Sequence, residues 1–284
     1  MRGPDILIRT ISEAAITDRY GNRWQYQSRS DHHSKIACWG ILFDLLGTSG
    51  VIREQAAAGA LVFGINHEMR DFKHNRKKDL DLVLARPRGA QRRKGEELTF
   101  RSLTKKHGIK LSPEEELQLN SLPALARGDV GSVLMALEAK ACMTEHVKAL
   151  PRLYDELNSS HETIHASAED AVAIGFVMVN FAEHFLSPGR NKFDLRRRRP
   201  DISVHSQPGV SERVVEKIHE MPRRTKPGEQ GFDALAIVVV DCGNDGSPVR
   251  LVERPPAPQP GDIYNYARMI QRAAQAFEAR FRTI

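Results

Sequence analysis

The chain has 284 residues, of which 40% are apolar and 27% are charged, a composition typical of a globular protein with enough chain to bury a substantial core. Its longest apolar runs have the length of strands, so we expect no membrane-spanning helix, and the first residues lack the apolar segment of a signal peptide. Three widely spaced cysteines favour neither a disulfide framework nor a zinc knuckle, and we therefore expect a cytoplasmic protein with reduced thiols.

The net charge of +6 is distributed unevenly along the chain. Between Arg70 and Lys110 there are fourteen Lys and Arg against five Asp and Glu, and between Phe185 and Gln230 there are eleven against six. Two basic segments on an otherwise acidic chain indicate a surface that attracts a polyanion. The alternative for either segment alone is a solvated basic loop.

The first predicted elements are helical. Residues 34–46 repeat apolar side chains at helical spacing until Gly47 ends the run, and residues 51–58 predict a second short helix or a continuation of the first after a kink. Two strands follow, at 60–65 and at 79–85, and the second begins with two carboxylates in the sequence DLDLVLA.

The middle of the chain begins with a basic loop at 86–94. A helix is predicted from Ser112, which has the character of an N-cap and is followed by Pro113 and a run of acidic residues. Residues 132–141 predict a strand that is apolar until Glu138 and Lys140 interrupt it.

An amphipathic helix is predicted at 144–158, with a kink at Pro151. Residues 170–181 form a strongly apolar strand candidate. The segment 185–230 is rich in Pro, Gly and Arg and contains one helix-like piece, so we interpret it as an insertion or a flexible arm.

The last elements are a buried strand at 232–241, a pairing segment at 249–253 and a final helix at 262–281. The order of elements predicts one α/β domain over residues 1–284, with a central mixed β-sheet flanked by helices and with basic loop insertions. Its core would comprise residues 34–181 and 232–284.

The residues that suggest chemistry are Asp81, Glu138 and Lys140. Glu138 and Lys140 are two apart on a strand, so both side chains face the same side, and a charged pair inside an apolar strand needs partners. Asp81 also lies in an apolar strand. If the two strands are neighbours, Asp81 and Glu138 meet at one edge of the sheet. The alternative for the Glu–Lys pair alone is a structural ion pair at a strand end.

Two carboxylates suit a hard cation such as Mg²⁺, and the backbone carbonyl of Ala139 could be a further ligand. Such a metal polarises a phosphate and lowers the pKa of a bound water. Lys140 would hold or help to deprotonate the attacking water and would offset charge in the transition state. These residues therefore predict hydrolysis of a phosphodiester bond.

An Asp in one strand, followed by E-x-K at the end of the next apolar strand and then a helix, resembles the PD-(D/E)xK nuclease superfamily. The segment VLMALEAKACM is similar to the E-A-K strand of type II restriction endonucleases. The resemblance implies a restriction-endonuclease-like core, in which Asp81 and Glu138 bind Mg²⁺ (which Mn²⁺ could replace) and Lys140 is the catalytic lysine.

The resemblance also implies a carboxylate from the preceding helix, for which Glu54 is the first candidate and Glu68 the second. Asp79 shares a face with Asp81 and could take its role as a metal ligand. Two features depart from the family pattern: Leu80 stands where the family has proline, and Asp81 and Glu138 are 57 positions apart. The long separation requires an insertion between the two strands.

The expected partner is double-stranded DNA, held by cations of the two basic segments. The candidates are Arg88, Arg92, Arg93, Lys94, Arg196, Arg197, Arg198 and Arg199. A double-strand break at a symmetric sequence is most simply made by a two-fold homodimer. The final helix could supply part of the interface through a stripe of apolar side chains, namely Tyr264, Ile270, Ala274 and Phe277.

Two other functions are compatible with the sequence. The motif HETIH at residues 161–165 fits H-E-x-x-H, in which two histidines on one helical face bind zinc and Glu162 acts as a general base. The structural alternative is a pair of histidines in a loop or at a helix end. A DNA-binding protein without catalysis could use the same basic surface, but it would not need Lys140.

Overall fold

The computed structural model describes residues 1–71, 74–89 and 98–283. Its strands are β1 (Ile16–Thr17), β2 (Arg23–Trp24), β3 (Val62–Asp71), β4 (Arg76–Pro87), β5 (Val130–Cys142), β6 (Val172–Asn180), β7 (His184–Leu186), β8 (Ile202–Val204), β9 (Ala234–Asp241) and β10 (Arg250–Leu251). Its helices are α1 (Gly3–Ile11), α2 (His32–Thr48), α3 (Gly50–Ala57), α4 (Ser102–His107), α5 (Pro113–Ser121), α6 (His146–Ser167), α7 (Gly209–His219) and α8 (Tyr266–Phe281).

Six of the described strands form one central sheet in the order β10-β9-β6-β5-β4-β3. The strands β5, β6 and β9 are parallel to one another, whereas β3 and β4, β4 and β5, and β9 and β10 pair antiparallel. The predicted α/β class with a mixed central sheet is therefore confirmed. Two small hairpins, β1–β2 and β7–β8, lie outside this sheet.

Helices cover both faces of the sheet. On one face, α2 and α8 pack against β4, β5, β6 and β9, and on the other face α6 lies across β3 to β6 with α7 beside it. All nine residues of β6 are buried. A strand that is covered on both faces is apolar throughout instead of alternating, which explains the continuous apolar runs that predicted the strands at 170–181 and 232–241.

Local signals in the sequence set the beginnings of several helices. The hydroxyl of Ser112 accepts the N–H of Glu115, and the carboxylate of Glu115 accepts the N–H of Ser112, so α5 begins with a capping box followed by Pro113. The side chain of Ser49 accepts the N–H of Ile52 at the start of α3. The predicted start of α5 is confirmed.

Several elements differ from the sequence prediction. The helix α6 does not end near residue 158 but continues past Pro151 and through the HETIH motif to Ser167. The segment 185–230 is not an arm: Val214 and Ile218 of α7 are fully buried in the core on the α6 face, and Phe185 is fully buried in the core on the α2 face. The N-terminal helix α1, for which the sequence suggested no element, packs against α2.

The apolar stripe of the final helix is used within the chain. Tyr264, Ile270, Ala274 and Phe277 are all buried against the chain's own core, so they cannot form the subunit interface that the sequence suggested. The helix itself begins later than predicted, at Tyr266, because the side chain of Asn265 caps it by accepting the N–H of Ala267.

Within the described residues, no single helix is both long and apolar enough to cross a membrane. The helices α2 and α3 together reach that length and composition, but a bend of 98° separates them.

The guanidinium of Arg224 is fully buried and fixes the end of the 185–230 segment to the sheet. Its Nε donates to Asp233 at 2.9 Å, and its other nitrogens donate to the carbonyls of Glu169 and Ala171. Asp233 also forms an ion pair with Arg280. Arg224 and Asp233 are both buried and hydrogen-bonded. Their ion pair therefore fixes the segment that leads into β9.

We expect Arg224→Met to lower the free energy of unfolding by about 3–5 kcal/mol, because it leaves Asp233 with one cation and two carbonyls without donors. Urea unfolding followed by circular dichroism measures this change. The matched control is Arg213→Met, at an exposed arginine of α7, which should leave the free energy nearly unchanged. A loss no larger than that of the control would contradict the role of Arg224.

Candidate active site

The candidate site lies where β4 and β5 separate. The pairing of these strands ends at Leu82 and Leu137, and beyond this point the carboxylate of Asp81 takes the place of a strand: its Oδ2 accepts the backbone N–H of Ala139 at 3.0 Å. Asp81 is thereby held beside the segment of β5 that carries Glu138 and Lys140. The predicted neighbouring strands are present, and they bring the three residues together.

An irregularity in the sheet aims Asp81 into the gap between the strands. Side chains two apart on a regular strand share a face, but Leu80 packs in the core on the α6 face and Leu82 in the core on the α2 face. Opposite Asp81, Asn66 has a φ of 50° and drops out of the ladder between the Ile65–Leu82 and His67–Leu80 pairs. The alternation therefore breaks at Asp81.

The first turn of α2 holds the other oxygen of Asp81. The hydroxyl of Ser34 donates to Asp81 Oδ1 at 2.8 Å, and the ammonium of Lys35 lies 3.5 Å from the same oxygen. The buried Lys35 also donates to the side chain of Asn66 and lies 3.6 Å from Asp31. Asp81 is thus fixed from β5 and from α2.

Glu138 is 2% exposed, and its two oxygens have different surroundings. Oε1 lies 2.8 Å from the ammonium of Lys140 and 3.8 Å from that of Lys78. Oε2 has no hydrogen-bond partner among the described residues. Burial raises the pKa of Glu138, Lys140 opposes this rise, and the neighbouring charge of Asp81 adds to it. An unpaired buried carboxylate oxygen is costly unless a ligand satisfies it.

The side chain of Lys140 contacts residues of both β5 and α6. Its ammonium lies 3.2 Å from Glu156 Oε2 in addition to its contact with Glu138, and Arg152 pairs with the other oxygen of Glu156 at 2.6 Å. Although burial alone would lower the pKa of Lys140, Glu138 and Glu156 together raise it. Lys140 therefore carries a positive charge at neutral pH.

These side chains line a cavity of about 810 Å³, which we call the cleft. Its floor is formed by Asp81, Glu138 and Lys140, and its walls by residues 28–34, by the first three turns of α6 and by residues 187–190 of the β7–β8 loop. His33 lines the cleft beside Tyr26, with ring centroids 5.0 Å apart. Burial lowers the pKa of His33 to about 4, so its imidazole is neutral.

The wall around Tyr26 is anchored by Asn244, which is remote in the sequence. The Oδ1 of Asn244 accepts the backbone N–H groups of Gln25 and Tyr26, and its amide nitrogen donates to the carbonyls of Tyr26 and Leu186. One buried side chain thus joins the N-terminal segment to the β7 strand.

The other predicted metal ligands occupy different positions. Asp79 is exposed but lines the cleft. Glu54 is wrong as a site residue, because it is an exposed residue of α3 that does not line the cleft. The helix α2, whose seventeen residues span about 25 Å, lies between α3 and the cleft. Glu68 pairs with Arg70 and Lys77 outside the cleft.

Charged residues at this site that sequence reasoning missed include Asp31, Glu156 and Lys78, in addition to Lys35. Asp31 stands at the N-cap position of α2 and lines the cleft, Glu156 reaches it from α6, and Lys78 contacts Glu138 from below. A weak signal for Glu156 was its place on the helix that follows the E-x-K strand, from which a carboxylate can reach back over that strand. Lys78 was counted only as part of a basic segment.

The predicted DNA-binding cations that the structure describes do not line the cleft. Arg88 follows β4 and lines a second cavity of about 480 Å³ together with Arg127 and His67. Arg196, Arg197, Arg198 and Arg199 are exposed in the β7–β8 loop, where the first two pair with Asp194. Arg92, Arg93 and Lys94 lie outside the described residues.

The HETIH histidines lie in the last turns of α6 and not in a loop, with His161 buried and His165 half-buried near the end of the helix. His161 packs edge-on against Phe232, with centroids 5.2 Å apart, and His165 Nε2 lies 2.8 Å from the carbonyl of Gly231. Burial lowers the pKa of each to about 4. Glu162 forms an ion pair with Arg76 at 3.2 Å. None of these three residues of the motif lines the cleft.

In the parts of the chain that the structure describes, no three His, Cys, Asp or Glu side chains are grouped as a complete metal site. Mg²⁺ keeps several waters and is commonly held by one or two carboxylates with substrate phosphates. Asp81 and Glu138 fit this requirement, because both are oxygen donors in one cleft and Oε2 of Glu138 is unsatisfied. Ala139 lies between them in the cleft wall.

Comparisons of the chain with known protein families, with curated proteins and with solved structures found no match.

The variant Glu138→Gln keeps the shape of this side chain and removes its charge. Because the pKa of Glu138 is raised in the folded chain, ionisation of the carboxylate destabilises the fold, and this cost appears as the pH rises through the raised pKa. In EDTA we expect equal Tm values for variant and wild type in acid, and a higher Tm for the variant above neutral pH.

The control for this measurement is Glu68→Gln. Arg70 and Lys77 lower the pKa of Glu68, so this variant should show no gain in Tm as the pH rises. A Tm of Glu138→Gln below that of wild type at alkaline pH would contradict the conclusion that burial dominates at Glu138.

Proposed function

We propose that the chain is a Mg²⁺-dependent endonuclease that hydrolyses phosphodiester bonds of DNA in the cleft. The observation that carries this proposal is the buried carboxylate of Glu138, with one oxygen held by lysines and the other unpaired, beside Asp81. A structural ion pair accounts for Oε1 but not for Oε2. A cation that also binds a phosphate explains why a carboxylate with a free oxygen lines the cleft.

The order of elements around the site supports the resemblance to the PD-(D/E)xK superfamily. Asp81 lies in β4, Glu138 and Lys140 lie near the end of the adjacent β5, and α6 follows directly. Residues 88–129, which include α4 and α5, account for the long separation between Asp81 and Glu138. On this basis we assign a restriction-endonuclease-like core and a role in cutting foreign double-stranded DNA, as type II restriction endonucleases do.

Asp81 and Glu138 would hold the metal, with Asp79 and the carbonyl of Ala139 as further candidate ligands. When bound, Mg²⁺ would polarise the phosphate and lower the pKa of a bound water. The protein residues position these groups: Ser34 and the Ala139 N–H fix the two oxygens of Asp81. The same arrangement accepts Mn²⁺, which also prefers oxygen ligands.

Lys140 acts in this proposal as a fixed positive charge. Its raised pKa keeps the ammonium protonated at neutral pH, so it donates hydrogen bonds to the attacking water and offsets negative charge that develops on the phosphate. Of the two roles that the sequence suggested for Lys140, holding the water is favoured over deprotonating it.

We expect Glu138→Gln and Lys140→Ala each to reduce cleavage of plasmid DNA by at least about 100-fold, because electrostatic groups at a reaction centre commonly contribute that much. DNA binding should change little, since phosphate contacts and metal chemistry use different residues. The measurement is a plasmid cleavage time course with Mg²⁺, combined with an anisotropy binding assay in EDTA.

The matched controls are Glu68→Gln and Lys77→Ala, which remove an ion pair of the same kind outside the cleft. Both should retain wild-type cleavage. Wild-type rates in Lys140→Ala would refute the assignment, and DNA binding by the wild type without any cleavage would favour a non-catalytic DNA-binding protein.

A homodimer is part of the proposal, because one site cuts one strand and a two-fold pair of sites cuts both. Light scattering with DNA bound should report about twice the 31.9 kDa chain mass in protein. The stripe of α8 is excluded as its interface by burial. A monomer that only nicks supercoiled plasmid would overturn the dimer and favour a nicking or repair role.

A further inference from the structure

Four cations form a row along α6 that leads from the mouth of the cleft to Glu138. Arg190 of the β7–β8 loop stands at one end, Lys148 and Arg152 of α6 follow, and Lys140 lies at the floor. The side chains of Lys148 and Arg152 are 80% and 85% exposed, whereas Lys140 is 26% exposed. The row therefore runs from solvent into the site.

Two glutamates hold these cations in place. Glu145 lies 3.7 Å from Lys148 and 3.6 Å from Arg190. About three turns further along α6, Glu156 pairs with Arg152 and Lys140. Exposed ion pairs of this kind contribute about 0–1 kcal/mol each, so a phosphate oxygen can replace a glutamate oxygen at small cost.

The arrangement is linear, which limits the kind of ligand it fits. Lys148 and Arg152 are four residues apart on one helix, so their side chains emerge on the same face about 6 Å apart. A single anion could engage one pair of cations only. A chain of regularly spaced phosphates can engage the whole row while one of its phosphates lies beside Glu138 and Asp81.

We propose that Arg190, Lys148 and Arg152 bind the phosphodiester backbone of one nucleic-acid strand and guide it to Lys140. The inference rests on the proposed nuclease function, because that function makes Glu138 the point to which the strand is guided. It assigns the nearest phosphate contacts to the α6 wall instead of to Arg196–Arg199. A single strand and one strand of a duplex present the same phosphates, and the binding assay includes both.

The test compares Lys148→Gln/Arg190→Gln with a matched double variant, Lys226→Gln/Arg70→Gln. Lys226 is an exposed lysine with a glutamate three residues away, as Lys148 is, and Arg70 is about as exposed as Arg190 and also pairs with a glutamate. Anisotropy of labelled single-stranded and duplex DNA is measured in EDTA over a range of salt concentrations, so that no cleavage occurs.

Each lost phosphate contact lowers the slope of log affinity against log salt by about 1. We therefore expect the slope of the row variant to fall by about 2 in magnitude, and that of the control variant to match wild type. A row variant that matches wild type on both DNAs overturns the proposal, as does a wild-type chain that binds neither. Thermal unfolding of both variants verifies that they are folded.

A second variant changes affinity in the opposite direction. Glu145→Gln releases Lys148 and Arg190 from their shared acid, so it should tighten DNA binding, whereas Glu229→Gln, which releases Lys226, should not. Unchanged or weaker binding by Glu145→Gln would contradict the row, because it would show that these two cations do not face the ligand.

The outcome is separable from that of the nuclease proposal. If the row variants change binding as expected but no chain cleaves DNA with Mg²⁺, the row holds and the catalytic assignment fails. If Glu138 is required for cleavage while the row variants bind and cut as wild type does, the nuclease holds and the strand follows another path.

Discussion

The arrangement of the site depends on one backbone constraint, which is that a buried N–H group must have an acceptor. Where β4 leaves β5 after the Leu82–Leu137 pair, the N–H of Ala139 loses its neighbouring strand, and Asp81 supplies the missing acceptor. This hydrogen bond allows the sheet to open without an unsatisfied backbone group. The gap that results is the cleft, and it lies beside the only segment of β5 that carries charges.

The two oxygens of Glu138 have unequal partners, and this arrangement lowers the stability of the fold. Lys78 and Lys140 both approach Oε1, while Oε2 has no partner among the described residues. A residue selected for stability alone would be apolar here, as its neighbours on β5 are, because burial of an ionised carboxylate is opposed by lost hydration. Proteins retain such groups where activity needs them, and this supports a chemical role for the cluster.

Sequence reasoning identified the residues whose role depends on near neighbours. The apolar strands around Glu138 and Ile174, the capping box at Ser112, and the proximity of Asp81 to Glu138 all follow from short patterns with a physical cause. Glu156 could not be assigned to the site in this way, because its contact with Lys140 depends on the angle at which α6 crosses the sheet.

The same limit explains the errors. The histidines of HETIH suggested zinc ligands or a loop in sequence, yet Phe232 and the carbonyl of Gly231, in the segment before β9, contact them. The 185–230 segment has the composition of an arm, but a few apolar residues of α7 suffice to fix it to α6. Composition predicts the average environment of a segment, whereas burial is decided by individual contacts that are distant in sequence.

The hydrogen bonds from the backbone N–H groups of Gln25 and Tyr26 to Asn244 have a consequence for the synthesis of the protein. A polypeptide is synthesised from its N-terminus, and Asn244 is added more than two hundred residues after Gln25. The backbone at Gln25 and Tyr26 lacks this hydrogen-bond partner until then. During translation Asp81, Glu138 and Lys140 can be present in an incomplete cleft. A ribosome-bound or truncated chain that ends before Asn244 therefore lacks this anchor, and the wall of the cleft around Tyr26 is incomplete in it.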